Sequence, residues 1–204
     1  MKLPKVVLLY TFTFVAVTSV AGKSFAQADP FWLKSWNEAQ QTRPEVISAK
    51  GRIAAEDEPG TPFVIHGRVF TPDGRTPAPG VVVHSYHRDQ RGYDFGSEDN
   101  PLTTWRLQGW AKTDAQGRFE FQTIRPAADY MGREGAHIHF TLESPDFGRQ
   151  WAPTTYFLND PLVPETRIRQ SSAAGDFGWV REVVTVDNVQ QISVNIRLKD
   201  KADF

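Results

Sequence analysis

Short runs in which apolar and polar side chains alternate recur along this chain, separated by turns that contain Gly or Pro. The clearest run has Ile192, Val194, Ile196 and Leu198 at every second position. Because residues i and i+2 of a β-strand share one face, this period is typical of strands with one buried face. We predict strands at 62–70, 80–87, 108–113, 118–123, 137–143, 153–158, 180–186 and 192–198. Many short strands with no helical period between them predict an all-β fold, an antiparallel β-sandwich.

A turn sequence joins two of these predicted strands. The segment Asp114-Ala-Gln-Gly117 lies between the runs 108–113 and 118–123. A short turn between two alternating runs is the usual signal of a β-hairpin. We therefore expect these two strands to pair with each other.

The segment before the first strand is predicted to begin with a helix. Asp29-Pro30 fits an N-cap followed by the first helical residue. Trp32 and Trp36 then recur at helical spacing. We expect a short amphipathic helix that ends near Gln41, followed by a polar arm that lies over the main domain.

The N-terminus has the layout of a secretory signal peptide. Lys2 and Lys5 precede an apolar stretch that ends near Ala21, and Ala26-Gln-Ala28 closes the following polar segment. We expect cleavage after Ala28, export to the periplasm or the cell exterior, and no membrane span in the mature chain. The alternative is an uncleaved anchor, although a spanning helix needs about 20 strongly apolar residues. The predicted organisation is a signal peptide at 1–28, a helix and arm at 29–61, and one β-sandwich domain at 62–204.

The composition excludes several classes of protein. A formal net charge of -1 and 40% hydrophobic residues indicate a globular protein without the basic excess of a nucleic-acid binder. The sequence contains no cysteine, which excludes disulfides, thiolate metal sites and cysteine nucleophiles. The mature length of about 176 residues suits a single domain with one core.

Two histidines stand two residues apart within one predicted strand. His137 and His139 would lie on the same face, where both imidazoles can reach one point. Ile138, Phe140 and Leu142 would then fill the opposite, apolar face. Two imidazoles suit zinc, copper or iron, so this strand is a candidate metal site.

Two tyrosines upstream narrow the choice of metal. Tyr130 lies just before the histidine pair, and Tyr93 follows Gly92 in a turn. A free tyrosine has a pKa of about 10 and is a poor ligand at neutral pH. A trivalent ion strongly favours the phenolate, and phenolates in turn suit a hard ion such as Fe(III). Two His and two Tyr around a redox metal indicate oxidative chemistry.

Four sequence segments, in this order along the chain, show a resemblance to a known family. They are Gly67-Arg-Val-Phe with Pro77-Ala-Pro-Gly80-Val-Val-Val83; Asp89-Gln-Arg-Gly92-Tyr93; Thr113-Asp-Ala-Gln-Gly117-Arg-Phe-Glu-Phe-Gln-Thr-Ile-Arg-Pro126; and Tyr130 with Ala136-His-Ile-His-Phe140. From about Gly67 to Pro161 the chain resembles the intradiol ring-cleavage dioxygenases, the family of protocatechuate and catechol dioxygenases.

The resemblance implies a non-haem Fe(III) centre with Tyr93, Tyr130, His137 and His139 as protein ligands and a solvent hydroxide as the fifth. It also implies that a small catechol and O2 are the substrates and a muconate-type diacid the product. In the family, the substrate displaces the ligand that corresponds to Tyr130, which then accepts a catechol proton as a general base. The partners expected are therefore small molecules, and a homo-oligomer is left open.

Two departures from the family pattern fall near the substrate. The family has Arg-Pro-Ala before its first His, with the Arg placed to stabilise charge on the substrate. Here that arginine position is Glu134, and Arg133 stands one residue earlier as our candidate for its role. Thr154 stands where the family has Gln. We therefore expect a retained metal site and a rebuilt substrate pocket.

Other classes of protein or metal site would explain some of these sequence segments and histidines. A non-catalytic transthyretin-like or carboxypeptidase-regulatory-like sandwich shares the phrases at 67–81 and 113–119, with incidental histidines. A cupin needs a further His after His139, and none follows. A zinc site of His84, His137 and His139 leaves the two tyrosines unexplained. We interpret Tyr86 as a packing aromatic, and His66, His84 and His87 as structural or surface residues.

Export predicts a mature N-terminus at Asp29. Protein recovered from the producing cells is expected to begin at this residue when its N-terminus is sequenced. Recovery of a membrane-bound form that still begins with Met1 would instead identify an anchor.

Overall fold

The computed structural model describes residues 28–97 and 100–204, so the predicted signal peptide, apart from Ala28, lies outside the described residues. Within these ranges the chain forms two α-helices, α1 (Pro30–Gln40) and α2 (Glu165–Ala173). The strands are β1 (Lys50–Arg52), β2 (Pro62–Phe70), β3 (Val82–His87), β4 (Gly96–Ser97), β5 (Asn100–Pro101), β6 (Leu107–Lys112), β7 (Arg118–Ile124), β8 (His137–Ser144), β9 (Gly148–Trp151), β10 (Thr155–Phe157), β11 (Val180–Arg181), β12 (Val184–Val186) and β13 (Val189–Arg197). A short 3-10 turn spans Gly175–Phe177. Neither of the two described helices has the length and apolar character that crossing a membrane requires.

Two sheets contain most of the strands. One has the order β1-β7-β2-β13-β12, and the other has the order β11-β10-β8-β3-β6 with β9 paired to β8. Strands β4 and β5 pair with each other outside these sheets. The prediction of a mostly β protein with few helices is therefore confirmed.

The two sheets share one apolar core. Phe119 of β7 and Phe140 of β8 come from different sheets, and their ring centroids lie 6.1 Å apart. Ile138, Phe140 and Leu142 are buried in this core, as the alternation predicts. Because side chains alternate along a strand, β8 directs His137 to the opposite face of its sheet.

Helix α1 packs on that opposite face. Asp29 caps the helix by accepting a hydrogen bond from the amide of residue 31 at 2.9 Å, which confirms the predicted start. Trp36 and Ala39 are buried in a second cluster with Tyr86 and Trp110 of the six-stranded sheet. The helix therefore covers part of the sheet that carries the histidine pair.

The prediction that all strand pairs are antiparallel is wrong for three pairs. Strands β13 and β2 pair in parallel over eight positions, and the pairs β1–β7 and β10–β11 are also parallel. Parallel neighbours need a long connection. Strands β2 and β13 have one, because the chain passes through the other sheet between them. An alternating sequence pattern carries no information about this direction.

The predicted hairpin is also wrong. The turn forms, since the amide of Asp114 donates to the carbonyl of Arg118 at 3.0 Å. However, β6 belongs to the six-stranded sheet and β7 to the five-stranded sheet. Each strand buries apolar side chains in the shared core, so the turn carries the chain from one sheet to the other.

Two further regions differ from the predicted strands. The run 180–186 divides into β11 and β12, which belong to different sheets. Helix α2 was not predicted, because Ser171 is the one buried residue along it and an apolar period is missing. Strand β1 shows that the predicted arm adds a short strand to the five-stranded sheet.

The core assignment of β8 predicts a large difference between two phenylalanine substitutions. Phe140→Ala is expected to lower the free energy of unfolding by about 3–5 kcal/mol, because it leaves a cavity between the sheets. Phe31→Ala on α1 removes a ring that is 82% exposed and is expected to cost less than about 0.5 kcal/mol. Chemical denaturation followed by circular dichroism measures both values. Equal losses would contradict the assignment.

Candidate metal centre and cavity

Strand β8 brings the two histidines together. The ring centroids of His137 and His139 lie 4.7 Å apart, with their planes at 89°. Nδ1 of His137 lies 2.7 Å from the carbonyl oxygen of Gly135. A ring nitrogen that faces a carbonyl must carry the proton, so the free lone pair of His137 is on Nε2. This is the tautomer that an oriented metal-binding histidine adopts.

Both histidines are held in the neutral form. Burial lowers the pKa of His137, although the bond to Gly135 and the nearby Glu134 carboxylate partly oppose the shift. Burial, followed by the effect of His137, lowers the pKa of His139 to about 3. A neutral imidazole can donate its lone pair to a metal ion without first losing a proton.

Tyr86 supports the ring of His139 from the neighbouring strand. The two residues are in register between β3 and β8, and their rings stack at 4.8 Å and 18°. The Tyr86 hydroxyl accepts a hydrogen bond of 2.9 Å from Nε1 of Trp32 in α1. Thr154 lies on another side of the ring, with Oγ1 3.4 Å from Nδ1 of His139. Tyr86 thus positions a site residue, beyond the packing role that we expected.

The two tyrosines form a second pair. Their rings stack with centroids 5.0 Å apart and planes at 8°. Tyr93 is half-buried, and Tyr130 is 59% exposed. Both line a cavity of about 360 Å³, and its wall also includes Arg88, Asp94, Asp129 and Arg133. The predicted residues Tyr93, Tyr130 and Arg133 therefore meet at one opening.

A buried carboxylate organises the turn that carries Tyr93. Asp89 is 1% exposed, and one of its oxygens accepts the amides of Arg91 and Tyr93 at 2.8 and 3.1 Å. Burial raises the pKa of Asp89, but these hydrogen bonds and the Arg91 guanidinium lower it more, so the net pKa is below its usual value. Asp89 also pairs with Arg106 at 3.2 Å. The turn is thus fixed by an ionised group.

Gly92 allows the Tyr93 turn to touch the Tyr130 loop. Its φ is +90°, in the region that favours glycine. A Cβ at this position would collide with the carbonyl of Ala128 and the amide nitrogen of Tyr130. This close approach of two backbones is what places the two tyrosine rings side by side.

Hydrogen bonds of Asp129 hold together the loop that carries Tyr130. One oxygen of Asp129 accepts the amides of Arg133 and Glu134 at 2.5 and 2.9 Å. The Asp129 amide in turn donates to the carbonyl of Glu134 at 3.1 Å. The loop is therefore a compact turn that presents Tyr130 and Arg133 outward to the cavity.

Arg88 connects the two pairs of predicted ligands. Its guanidinium lines the cavity beside the tyrosines, and Nη1 lies 3.5 Å from both ring nitrogens of His137. Because Nη1 is equally far from the two ring nitrogens, it does not lie along the lone-pair direction of Nε2. Nε of Arg88 donates to Asp94 at 3.0 Å. Sequence reasoning missed Arg88, because its approach to His137 depends on the pairing of β3 with β8.

Glu134 also lies beside the histidines. Its carboxylate accepts the hydroxyl of Tyr156 at 2.9 Å and lies 3.9 Å from Nε2 of His137. Burial, and then the bond to Glu134, raise the pKa of Tyr156 to about 12, so this hydroxyl remains a donor. The departure noted in the sequence therefore has a defined place at the edge of the site.

The four predicted ligands fit an iron ion by their chemistry. Within residues 28–97 and 100–204, no three His, Cys, Asp or Glu side chains converge, so the zinc site that includes His84 gains no support. Two imidazoles leave coordination positions of a metal ion open to oxygen ligands. Tyr93 and Tyr130 are the tyrosines on the adjoining cavity wall. Two neutral imidazoles and two phenols form a donor set that suits Fe(III).

The family model and the relatives that match this chain are all dioxygenases. A family model described as "Dioxygenase" matches residues 39–200. The chain is 33% identical over 124 residues to catechol 1,2-dioxygenase 1 of Acinetobacter lwoffii, covering 52% of this chain and 39% of that one. It is 32% identical over 122 residues to the protocatechuate 3,4-dioxygenase beta chain of Burkholderia cepacia, covering 55% and 52%. The matches thus span about half the length of these relatives or less.

A solved structure shows the same fold. The dioxygenase domain of a dioxygenase–carbohydrate-binding protein fusion from Streptomyces sp. SirexAA-E superposes with a TM-score of 0.56 and 20% sequence identity. The match covers 76% of this chain and 91% of that domain. At this level of identity the likeness concerns the fold alone.

The backbone contact at Gly92 predicts a specific cost for a methyl group. Gly92→Ala is expected to lower the free energy of unfolding by about 3 kcal/mol, from the positive φ together with the collision. Gly132→Ala is the matched control, because its φ is +66° but nothing lies within 4 Å of its Cβ. The control is expected to cost about 1 kcal/mol. Chemical denaturation measures both, and a control as damaging as Gly92→Ala would refute the contact.

Proposed function

Because the chain belongs to the intradiol ring-cleavage dioxygenase family, we propose that it opens a catechol-type ring between its two hydroxyl-bearing carbons. Both atoms of O2 enter the product, a muconate-type diacid. The observation that carries the proposal is Arg88, which lines the cavity beside the tyrosine pair and also contacts His137 of the histidine pair. The cavity volume of about 360 Å³ suits a single aromatic ring.

The cofactor in this proposal is Fe(III), held by Tyr93, Tyr130, His137 and His139. Bound there, it supplies a strongly acidifying Lewis acid and a redox centre for the reaction of a catechol with O2. The His137–Gly135 bond orients one ligand, and the stack of Tyr86 on His139 orients the other.

Tyr130 is proposed as the base for a catechol proton. Its ring is 59% exposed on a surface loop, so it can change position without disturbing either apolar cluster. Tyr93 differs, because its turn is fixed by Asp89 and by contact with the Tyr130 loop. The two tyrosines are therefore suited to separate roles, with Tyr93 as the permanent ligand and Tyr130 as the group that moves and accepts the proton.

The cavity wall supplies charge for the substrate. Arg133 is on this wall and remains our candidate for contact with substrate oxygens. Glu134 accepts a hydrogen bond from the Tyr156 hydroxyl, and Thr154 lies next to His139. These two residues make the pocket different from that of the family pattern, and they are proposed to determine which catechol fits.

Export is part of the same proposal. The segment 1–28 supports secretion to the periplasm or the cell exterior. Residues 29–61 form the helix and arm, and residues 62–204 form the catalytic domain, a β-sandwich in this proposal. The substrate would therefore be a small catechol that is encountered outside the cytoplasm.

Iron-loaded wild-type protein is expected to consume O2 with at least one member of a panel of catechols and to release ring-opened diacids. Tyr130→Phe is expected to retain iron but to lose about 10²- to 10⁴-fold in turnover, because the positioned base is removed. Tyr93→Phe is expected to weaken iron retention, because that ligand is permanent. Oxygen consumption, product analysis by mass spectrometry and iron content per chain are the measurements.

The outcomes separate the enzyme from the alternative. Iron-loaded protein that is coloured by tyrosinate but cleaves no catechol would overturn the proposed activity. Colourless protein that takes up no Fe(III) would favour a non-catalytic transthyretin-like binding module. Equal turnover in wild type and Tyr130→Phe would remove Tyr130 from the role of base.

A further inference from the structure

Arg88 lines the same cavity as Tyr93 and Tyr130, and it is far less exposed than Arg133, the arginine that the sequence suggested. The side chain of Arg88 is 16% exposed, whereas that of Arg133 is 69% exposed and pairs with Asp129 at 3.5 Å. A charge is worth more where little water screens it. Both arginines are ion-paired, Arg88 with Asp94 at 3.0 Å, so the difference between them is exposure, and the less exposed Arg88 can act more strongly on a bound anion.

The contacts of Arg88 fix its position and leave donors free. Nε is bonded to Asp94 at 3.0 Å, which anchors the planar guanidinium. Nη1 lies 3.6 Å from Glu134, which is too long for a good hydrogen bond. Among the described residues, neither Nη atom donates a short hydrogen bond to a protein acceptor. The Nη N–H groups of Arg88 thus remain available to donate hydrogen bonds to a ligand in the cavity.

Glu134 is restrained by a different partner. Its Oε1 accepts the Tyr156 hydroxyl at 2.9 Å. The Tyr156 ring in turn lies under the guanidinium of Arg167, with Cζ 4.0 Å from the ring centroid. This arrangement holds Oε1 on Tyr156 and leaves Oε2 3.6 Å from Nη1 of Arg88, so Glu134 forms an ion pair with Arg88 but does not take up its N–H groups in a short hydrogen bond.

We propose that Arg88 binds the charged oxygen of the deprotonated catechol. It thereby supplies, from the residue that follows β3, the positive charge that the family pattern places at position 134. The proposal rests on the proposed function, since it concerns the same substrate at the same site. Arg133 then contributes little to substrate binding. Although Glu134 stands where the family has an arginine, the substrate still meets a positive charge, that of Arg88.

Substrate binding without O2 tests this assignment separately from turnover. Iron-loaded wild type and variants are titrated anaerobically with catechol, and the dissociation constant is measured by calorimetry, with iron per chain determined in parallel. Arg88→Gln is expected to bind catechol about 10- to 100-fold more weakly, the usual effect of losing a charged hydrogen bond. Its iron content is expected to stay at the wild-type level, because Arg88 is not a ligand.

Three further variants sharpen the test. Arg43→Gln is the matched control, because Arg43 is also half-buried and ion-paired, to Glu143 at 2.7 Å, but is not on the cavity wall. It is expected to bind catechol as wild type does. Arg133→Gln is expected to weaken binding by less than about 3-fold, since its charge is screened. In the double variant R88Q/E134R, an arginine at position 134 is expected to restore most of the lost affinity.

The outcomes are decisive in each direction. Arg88→Gln that holds iron and binds catechol as tightly as wild type would overturn the proposal for Arg88 alone. Wild type that binds no catechol would overturn the proposed function and this inference with it. If Arg88→Gln fails to fold, Arg88→Lys replaces it and is expected to bind about 3- to 10-fold more weakly, because lysine lacks the planar fork. Unchanged binding in Arg88→Lys would then refute the proposal.

Discussion

The alternation of side chains along strand β8 is the constraint on which the candidate site depends. Ile138 and Phe140 are buried in the core between the sheets, so the strand cannot slip by one residue without exposing them. The same register fixes His137 and His139 on the outer face. The free energy that stabilises the core therefore also fixes the face on which the two imidazoles lie, while the Gly135 carbonyl and the Tyr86 ring set their orientation.

The tyrosine pair depends on polar contacts instead. Asp89 is almost completely buried, yet it keeps its charge because two backbone amides and two arginines surround it. Gly92 then brings the turn against the backbone of Tyr130. Breaking a buried charged network of this kind is costly, so the turn is held firmly although it contributes little to the apolar core. The two halves of the site thus rely on different forces.

The sequence predicted features with a local cause and missed those that depend on strand order. The start of α1 and the two faces of β8 follow from neighbouring residues, and both are confirmed. The pairing of β6 with β7 was wrong, because alternation shows that a strand has a buried face but not which sheet it joins. The tyrosines were identified through a family resemblance and not through spacing. Arg88 was missed, since its contact with His137 arises only when β3 and β8 lie side by side.

The hydrogen bond from Trp32 to Tyr86 and the stack of Tyr86 on His139 make helix α1 a physical part of the site's back wall. Anything that restricts the orientation of the His139 ring also restricts Tyr86, and through its hydroxyl the helix. If the proposed metal ion restrains His139, linkage makes the coupling reciprocal: docking of the helix would raise the affinity for the ion by the same factor as the ion favours docking. Uptake of the proposed ion would then be a cooperative step in which the ion and the N-terminal helix stabilise each other.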